Sequence, residues 1–323
     1  MTDTAPPTAA GVAKAYAGID PVFRDTALMR HDTADAALGV QLYAKVETLN
    51  PIRAFKGRGT DWLLANLSAG DQPLVAASAG NFGQGLAYSA RKRGRRVTMF
   101  AATSANPLKI AAMRRLGAEV ILKGADFDAA KLAAKAFASE HGHLFVEDGG
   151  SAAIADGAGT MALELTRALA GAGSCLDAVL VPLGNGSLLT GIGAWMKAEM
   201  PACRVIGVVD AAAPSMLLSW RAKAPVSTQT ASSIADGIAV REPVPYALDC
   251  MRTTVDDVWS VSEASIRQAM TVCRDHFGLL VEPAGVAGIA AVLEHRAALS
   301  GQRVATILCG SNLTPEQIKD YFS

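Results

Sequence analysis

The chain has 323 residues, half of them hydrophobic and 19% charged, with 30 Lys plus Arg balanced by 30 Asp plus Glu. That describes about two well-packed domains and excludes a disordered or fibrous chain, while zero net charge leaves no electrostatic case for nucleic acid or an anionic membrane as a partner. Five scattered cysteines (Cys175, Cys203, Cys250, Cys273, Cys309) form no CxxC pair and no His stands at ligand spacing, so neither a disulfide framework nor a zinc or other metal site is expected.

Residues 1–20 read as a loose leader, without the basic and apolar regions of a signal peptide, and the expected location is cytoplasmic. No apolar run reaches the ~20 residues needed to cross a bilayer. Residues 40–46 alternate as a strand should and deliver the chain to Asn50-Pro51-Ile52-Arg53-Ala54-Phe55-Lys56-Gly57. Residues 58–67 have helical spacing. A short apolar strand at 74–77 ends in Ser78-Ala79-Gly80-Asn81-Phe82-Gly83-Gln84-Gly85, and a helix is predicted over 86–93. The basic run 91–96 reads as a solvated helix end, favoured by the helix dipole. Strands at 97–101, 119–122 and 144–146 alternate with helices at 107–116 and 127–140. Asn106 and Pro107 make a cap and first-turn pair, and Gly117 closes that helix.

From Gly149 the residues become small, through Asp156-Gly157-Ala158-Gly159, and this stretch reads as a flexible crossing between domains. A helix at 160–169, a strand at 178–182 and Gly184-Asn185-Gly186-Ser187 follow, opening a helix over 188–200. Next come a strand at 205–209, a helix at 215–223, an irregular stretch at 228–245 and a strand at 258–261. Helices at 263–276 and 284–295 and a strand at 303–308 complete the body, ending in Cys309-Gly310-Ser311-Asn312. Strands alternating with helices predict an α/β fold with mostly parallel sheets covered on both faces.

Three of these turns can carry chemistry. A lysine becomes a nucleophile toward an aldehyde when partly desolvated; Phe55 supplies an apolar wall for Lys56, and Gly57 permits close backbone approach. The bland alternative is a surface lysine with its stem packed down. The turns at Ser78 to Gly85 and at Gly184 to Leu188 each pass from an apolar strand through small residues into a helix. That arrangement aims backbone N–H groups and a helix N-terminus at one anion, or else is a plain tight turn. Gly184-Asn185-Gly186-Ser187 lacks both the lysine of a P-loop and the GxGxxG of a dinucleotide fold.

Taken together, Phe55-Lys56, the Ser78-x-Gly80-Asn81 turn, the small-residue loop at Gly184 and the strand ending in Cys309-Gly310-Ser311-Asn312 resemble the tryptophan-synthase-β-like (fold type II) family of pyridoxal-phosphate enzymes. Within it the chain is similar to the serine/threonine dehydratase and serine racemase branch. The likeness runs from about Tyr43 to Leu313 and includes Ile234-Ala235-Asp236-Gly237 and Glu282-Pro283-Ala284-Gly285. It implies two domains, each an open, mostly parallel sheet covered by helices, with pyridoxal 5'-phosphate in the cleft between them. Residues 1–68 and 151–323 would form the large domain and residues 69–150 the small one. A homodimer is the expected assembly, and a small amino acid the expected substrate.

By the same resemblance Lys56 would bond the cofactor aldehyde, Gly184, Asn185, Gly186, Ser187 and Leu188 would hold its phosphate, and Asn81 would bond its ring hydroxyl. Phe55 and Gly237 would flank the ring, and Cys309 would face the pyridine nitrogen. Backbone amides from Ser78 through Ala79, Gly80 and Asn81 to Phe82 would receive the substrate carboxylate. Two departures stand out. The phosphate loop is Gly-Asn-Gly-Ser where the family often has four glycines, and position 79 is Ala where racemases have a serine acid/base. Val209 stands where some relatives carry a metal-binding acid, with Asp210 adjacent. Glu282 either fixes the loop near the ring or is only a helix-start charge. The implied reaction is β-elimination from L-threonine or L-serine, with the cofactor phosphate thought to protonate the leaving group. β-Replacement, elimination from a bulkier β-substituted serine, and amino-acid binding without turnover are the alternatives. Because the chain stops at Ser323, a catabolic-type enzyme indifferent to isoleucine and valine is expected.

Overall fold

The computed structural model describes residues 5–67 and 72–322. Its strands, in chain order, are β1 (Leu28–Met29), β2 (Gln41–Val46), β3 (Leu74–Ala77), β4 (Val97–Ala101), β5 (Glu119–Leu122), β6 (Leu144–Phe145), β7 (Ala178–Pro182), β8 (Arg204–Asp210), β9 (Asp257–Val261) and β10 (Arg303–Leu308). They form a six-stranded sheet of order β1-β2-β10-β7-β8-β9 and a four-stranded sheet of order β5-β4-β3-β6. Every pairing is parallel except the short antiparallel β1–β2 edge. β7, buried at all five residues, is the continuous apolar run expected of a strand covered on both faces.

This topology positions the site. Parallel strands put all their carboxyl ends on one edge, where ligands bind in open α/β sheets. The lysine loop follows β2, Cys309 follows β10 and the Gly184 loop follows β7, and these three strands are neighbours. On the smaller sheet Ser78 follows β3 and Asp148 lies just beyond β6, again neighbours.

The structure corrects several expectations. The leader contains a helix, Ala9–Gly18, capped by the Thr8 hydroxyl accepting from Gly11 N, with Val12 and Ala15 fully buried; Met1 to Thr4 lie outside the described residues. Residues 149–159 are not a flexible crossing, because the helix Ala152–Gly171 runs through them. The glycines there are contact points: a Cβ on Gly157 would stand 2.6 Å from the carbonyl oxygen of Arg58. Gly157 lets this helix approach the helix Lys56–Asn66, and Gly159 lets it approach Gly191 O (2.6 Å from a Cβ there), more closely than side chains allow. The helix Asn81–Lys92 begins five residues earlier than predicted, inside the small-residue turn itself. Helices Asp32–Leu38 and Pro245–Thr254 were not anticipated, and the helix beginning at Glu263 ends at Val272 and continues as a π-helical turn, Cys273–Phe277. The basic run is a helix end but only partly solvated: Lys92 pairs with Asp20 at 2.6 Å, and Arg93 pairs with the buried Asp61.

Candidate active site

The lysine loop is fixed before its lysine is reached. The Asn50 side chain accepts from Ile52 N and Ala54 N (3.1 and 3.3 Å) and donates to the carbonyls of Glu47 and Ala54 (both 3.0 Å). Arg53 takes a left-handed φ of 52°, which turns the chain back beside the β10 loop. There Phe55 N donates to Cys309 O and Ser311 N to Arg53 O, both at 3.0 Å. Lys56 is the first residue of its helix and projects into the cleft, its Nζ 4.7 Å from the Phe55 ring centroid.

Behind Lys56, Arg58 is fully buried. Its guanidinium donates to Glu47 (both contacts 2.9 Å), to Glu164 (2.6 and 3.0 Å) and to Thr160 (2.8 Å), and Lys45 pairs with Glu164 at 2.6 Å. Two cations thus face two carboxylates. Burial pushes Glu164 up, but Arg58 and Lys45 outweigh it and hold the carboxyl below its usual range. This network ties the lysine helix to β2 and to the helix Ala152–Gly171.

The Gly184 loop ends on Gly186, whose φ of 97° favours glycine and which caps the helix Ser187–Glu199. The first N–H groups of that helix have no acceptor within it and point outward with the positive end of its dipole. A Cβ on Gly184 would lie 2.8 Å from Gly237 O, and one on Gly186 2.6 Å from the Ala247 Cβ, so the loop is built at glycine-only distances. Both non-glycine side chains of the loop turn toward Asp148: Ser187 Oγ donates at 3.1 Å and Asn185 Nδ2 at 3.4 Å. Lys56 Nζ pairs with the same carboxylate at 2.6 Å and reaches Ser187 Oγ at 3.4 Å.

Across the cleft, Ser78 Oγ accepts from Gly80 N and Gly83 N, both at 3.1 Å, and shapes the turn that opens the helix Asn81–Lys92. The amides of Asn81 and Phe82 are in its first turn and lack intrahelical acceptors. Asn81 is held from two sides: its Oδ1 accepts from Asn312 Nδ2 at 2.8 Å, and its Nδ2 donates to Glu282 at 2.5 Å, leaving one N–H. Glu282 makes no side-chain cap to the turn it precedes, so its fixing role is the one the geometry supports. Burial, and then the nearby Asp236, push Glu282 up to about 7 against Lys109, Asn81 and the Asn312 backbone. Native Glu282 therefore keeps a proton that the unfolded chain releases near 4.5, so stability falls as pH rises through the window from about 4.5 to about 7. Glu282→Gln should abolish roughly 3 kcal/mol of that dependence. Melting temperatures across the window check this; an unchanged slope would refute it.

Cys309 is buried, and burial raises its thiol well above the ordinary range, so it stays neutral. It donates weakly to Ile307 O at 3.4 Å. Gly237, Phe55, Cys309, Ala79 and the other residues assigned from sequence to cofactor or substrate line one cleft of about 610 Å³; Val209 and Asp210 do not. Two ion pairs, Lys109–Asp236 and Arg241–Asp128, cross it from one sheet's elements to the other's. Three residues were missed: Asp148, Asn312 and Arg58. Asp148 had a readable signal, since Asp148-Gly149-Gly150 is a further strand end followed by small residues. Asp210 bonds Ala212 N at 2.9 Å and Ser233 Oγ, and no cluster of three metal-ligating side chains occurs among the described residues.

A lysine amine beside an apolar ring, a helix start with unpaired backbone donors on either side and a neutral buried thiol fit a cofactor bearing an aldehyde and a phosphate. Comparison with known proteins agrees. Residues 19–310 match the pyridoxal-phosphate dependent enzyme family. The L-threonine ammonia-lyase of Geobacter sulfurreducens is 36% identical over 298 residues, covering 91% of this chain and 73% of that protein. The phenylserine dehydratase of Ralstonia pickettii is 32% identical over 318 residues, covering 97% and 95%. The crystal structure of the T.th. threonine deaminase superposes with a TM-score of 0.90 at 31% identity, covering 95% of this chain and 99% of that one. With the family matched over most of its length and the fold shared, this chain belongs to the pyridoxal-phosphate dependent enzymes.

Proposed function

We propose that the protein catalyses β-elimination from a β-hydroxy amino acid, L-threonine or L-serine, releasing ammonia and a 2-keto acid. The observation that carries this reading is the convergence of Lys56, the Gly184 loop and the Asn81 turn on one cleft. Pyridoxal phosphate, bonded to Lys56 and held by residues 184–188, supplies an electron sink that acidifies the substrate Cα–H. The helix start at Ser78 to Phe82 receives the substrate carboxylate, and Asn81, steadied by Asn312 and Glu282, bonds the ring hydroxyl. The Lys56 amine would be the base that takes the Cα proton. Cys309, being neutral, does not keep the ring nitrogen protonated, which favours prompt loss of the β-hydroxyl.

The test is keto-acid release by the cofactor-loaded protein from a panel of hydroxy amino acids. Threonine or serine should yield keto acid; a yellow protein that releases none from any member would sink the reading. Phenylserine belongs on the panel, because the relative matched over nearly its whole length is a phenylserine dehydratase and Phe82 and Phe127 line the cleft.

Ala79 also lines the cleft and carries no proton. Elimination should therefore far outrun racemisation, and Ala79→Ser should raise D-serine formation from L-serine relative to pyruvate. Chiral chromatography of the products checks this. Rapid D-serine formation by the wild type would reveal a second base.

A further inference from the structure

Four phenylalanines line the cleft: Phe55, Phe82, Phe127 and Phe145. Three of them are part of the core. Phe55 and Phe82 are buried in the hydrophobic clusters of the larger and the smaller sheet, and Phe145 packs against a further one. Phe127 stands outside these clusters and is 48% exposed. It is the first residue of the helix Phe127–His141, a start fixed by the Asp126 carboxylate, which accepts from Ala129 N at 2.8 Å. A lone exposed aromatic on an outer surface needs no explanation. Inside a ligand cleft it is apolar surface that a bound molecule can cover.

The opposite wall suits the same kind of group. Asp128, the residue after Phe127, pairs with Arg241, and the three residues that precede Arg241, namely Ile238, Ala239 and Val240, line the cleft as an unbroken apolar strip. The charges point the same way. Besides Lys56, three cations line the cleft and each is already paired: Lys109 with Asp236, Lys131 with Glu147, and Arg241 with Asp128 and, at 2.9 Å, with Glu242. Among the described residues a second substrate carboxylate would find no unpaired cation there, and it would face Asp126 as well.

Resting on the β-elimination reading, we propose that the β-substituent this cleft selects is an uncharged aromatic ring, seated against Phe127 and the strip at residues 238–240. Phe127 is then a specificity-determining residue. Contact between two rings adds to the apolar area that both bury, whereas the methyl group of threonine covers little of that surface and serine covers none. A β-carboxylate is rejected, because it would lose water beside other carboxylates without gaining a partner.

The test is kcat/KM for keto-acid release by the cofactor-loaded protein from β-phenyl-L-serine, L-threonine and β-hydroxy-L-aspartate, in both β-configurations. The wild type should favour phenylserine over threonine by about tenfold or more, and threonine over hydroxyaspartate by about 100-fold or more. Phe127→Ala should lower the phenylserine-to-threonine ratio by about tenfold or more, chiefly through KM. Phe127→Leu, which keeps an apolar contact without the ring, should lower it less. A wild type that prefers threonine to phenylserine, or takes hydroxyaspartate as readily as threonine, overturns the inference and leaves the β-elimination reading intact. A ratio that Phe127→Ala leaves unchanged overturns it too. Should neither variant fold, the wild-type ratios decide. A wild type that releases keto acid from none of the three, nor from serine, defeats the reaction itself, and the inference with it.

Discussion

Replacing Lys56 by alanine is expected to lower keto-acid formation by about 10³-fold or more, because one side chain is both the cofactor's covalent anchor and the base at Cα. The fold should survive. Lys56 touches Asp148 and Ser187 at the edge of the cleft, and Asp148 keeps its bonds from Ser187 and Asn185 and some contact with water when the amine is lost. The wild type should be yellow, and borohydride should fix the chromophore to the peptide containing Lys56. A colourless wild type that stays colourless with added pyridoxal phosphate would overturn the assignment of the lysine, as would a labelled peptide elsewhere. The thermal midpoint of the variant separates loss of chemistry from loss of structure.

The largest effect on stability is expected two residues further on. Arg58→Met removes the cation between Glu47 and Glu164 while keeping much of the volume. A buried ion pair broken from one side typically costs about 3–5 kcal/mol, since the surviving carboxylate is left desolvated and unpaired. Here Lys45 still serves Glu164 at 2.6 Å, so Glu47, which is fully buried, bears most of that cost. Against a total stability of about 5–15 kcal/mol this is a large fraction. A denaturant midpoint lowered at constant slope would report it. Adding Glu47→Gln should restore part of the loss by removing the orphaned charge. If the double variant is no more stable than the single, the cost lies in packing and not in electrostatics.

Much of the cleft lining was legible in the chain. The Ser78 turn and the Gly184 loop could be read because each follows an apolar strand and consists of small residues that expose backbone donors at a helix start, and the Lys56 loop because its lysine stands beside an apolar ring. The α/β class was equally readable, since alternation of short apolar strands with helices is a local periodicity. Tertiary structure decided the rest. Gly157 and Gly159 read as flexibility because glycine weakens an isolated helix, yet they lie inside the 20-residue helix Ala152–Gly171. The Arg58 carbonyl that Gly157 admits is distant in sequence, and close packing outweighs propensity. Arg58 looked like any charge on a helix face; its partners Glu47 and Glu164 stand 11 and 106 positions away, and only the fold shows the face to be buried. Asp148 stood at a readable strand end, but its partners were hidden for the same reason. Its neighbours Lys56, Asn185 and Ser187 follow other strands, β2 and β7, whose carboxyl ends open on the same cleft as that of β6. Sequence shows a group whose purpose lies in its own backbone; a group whose purpose lies in partners from other strands becomes visible only when the sheets are assembled.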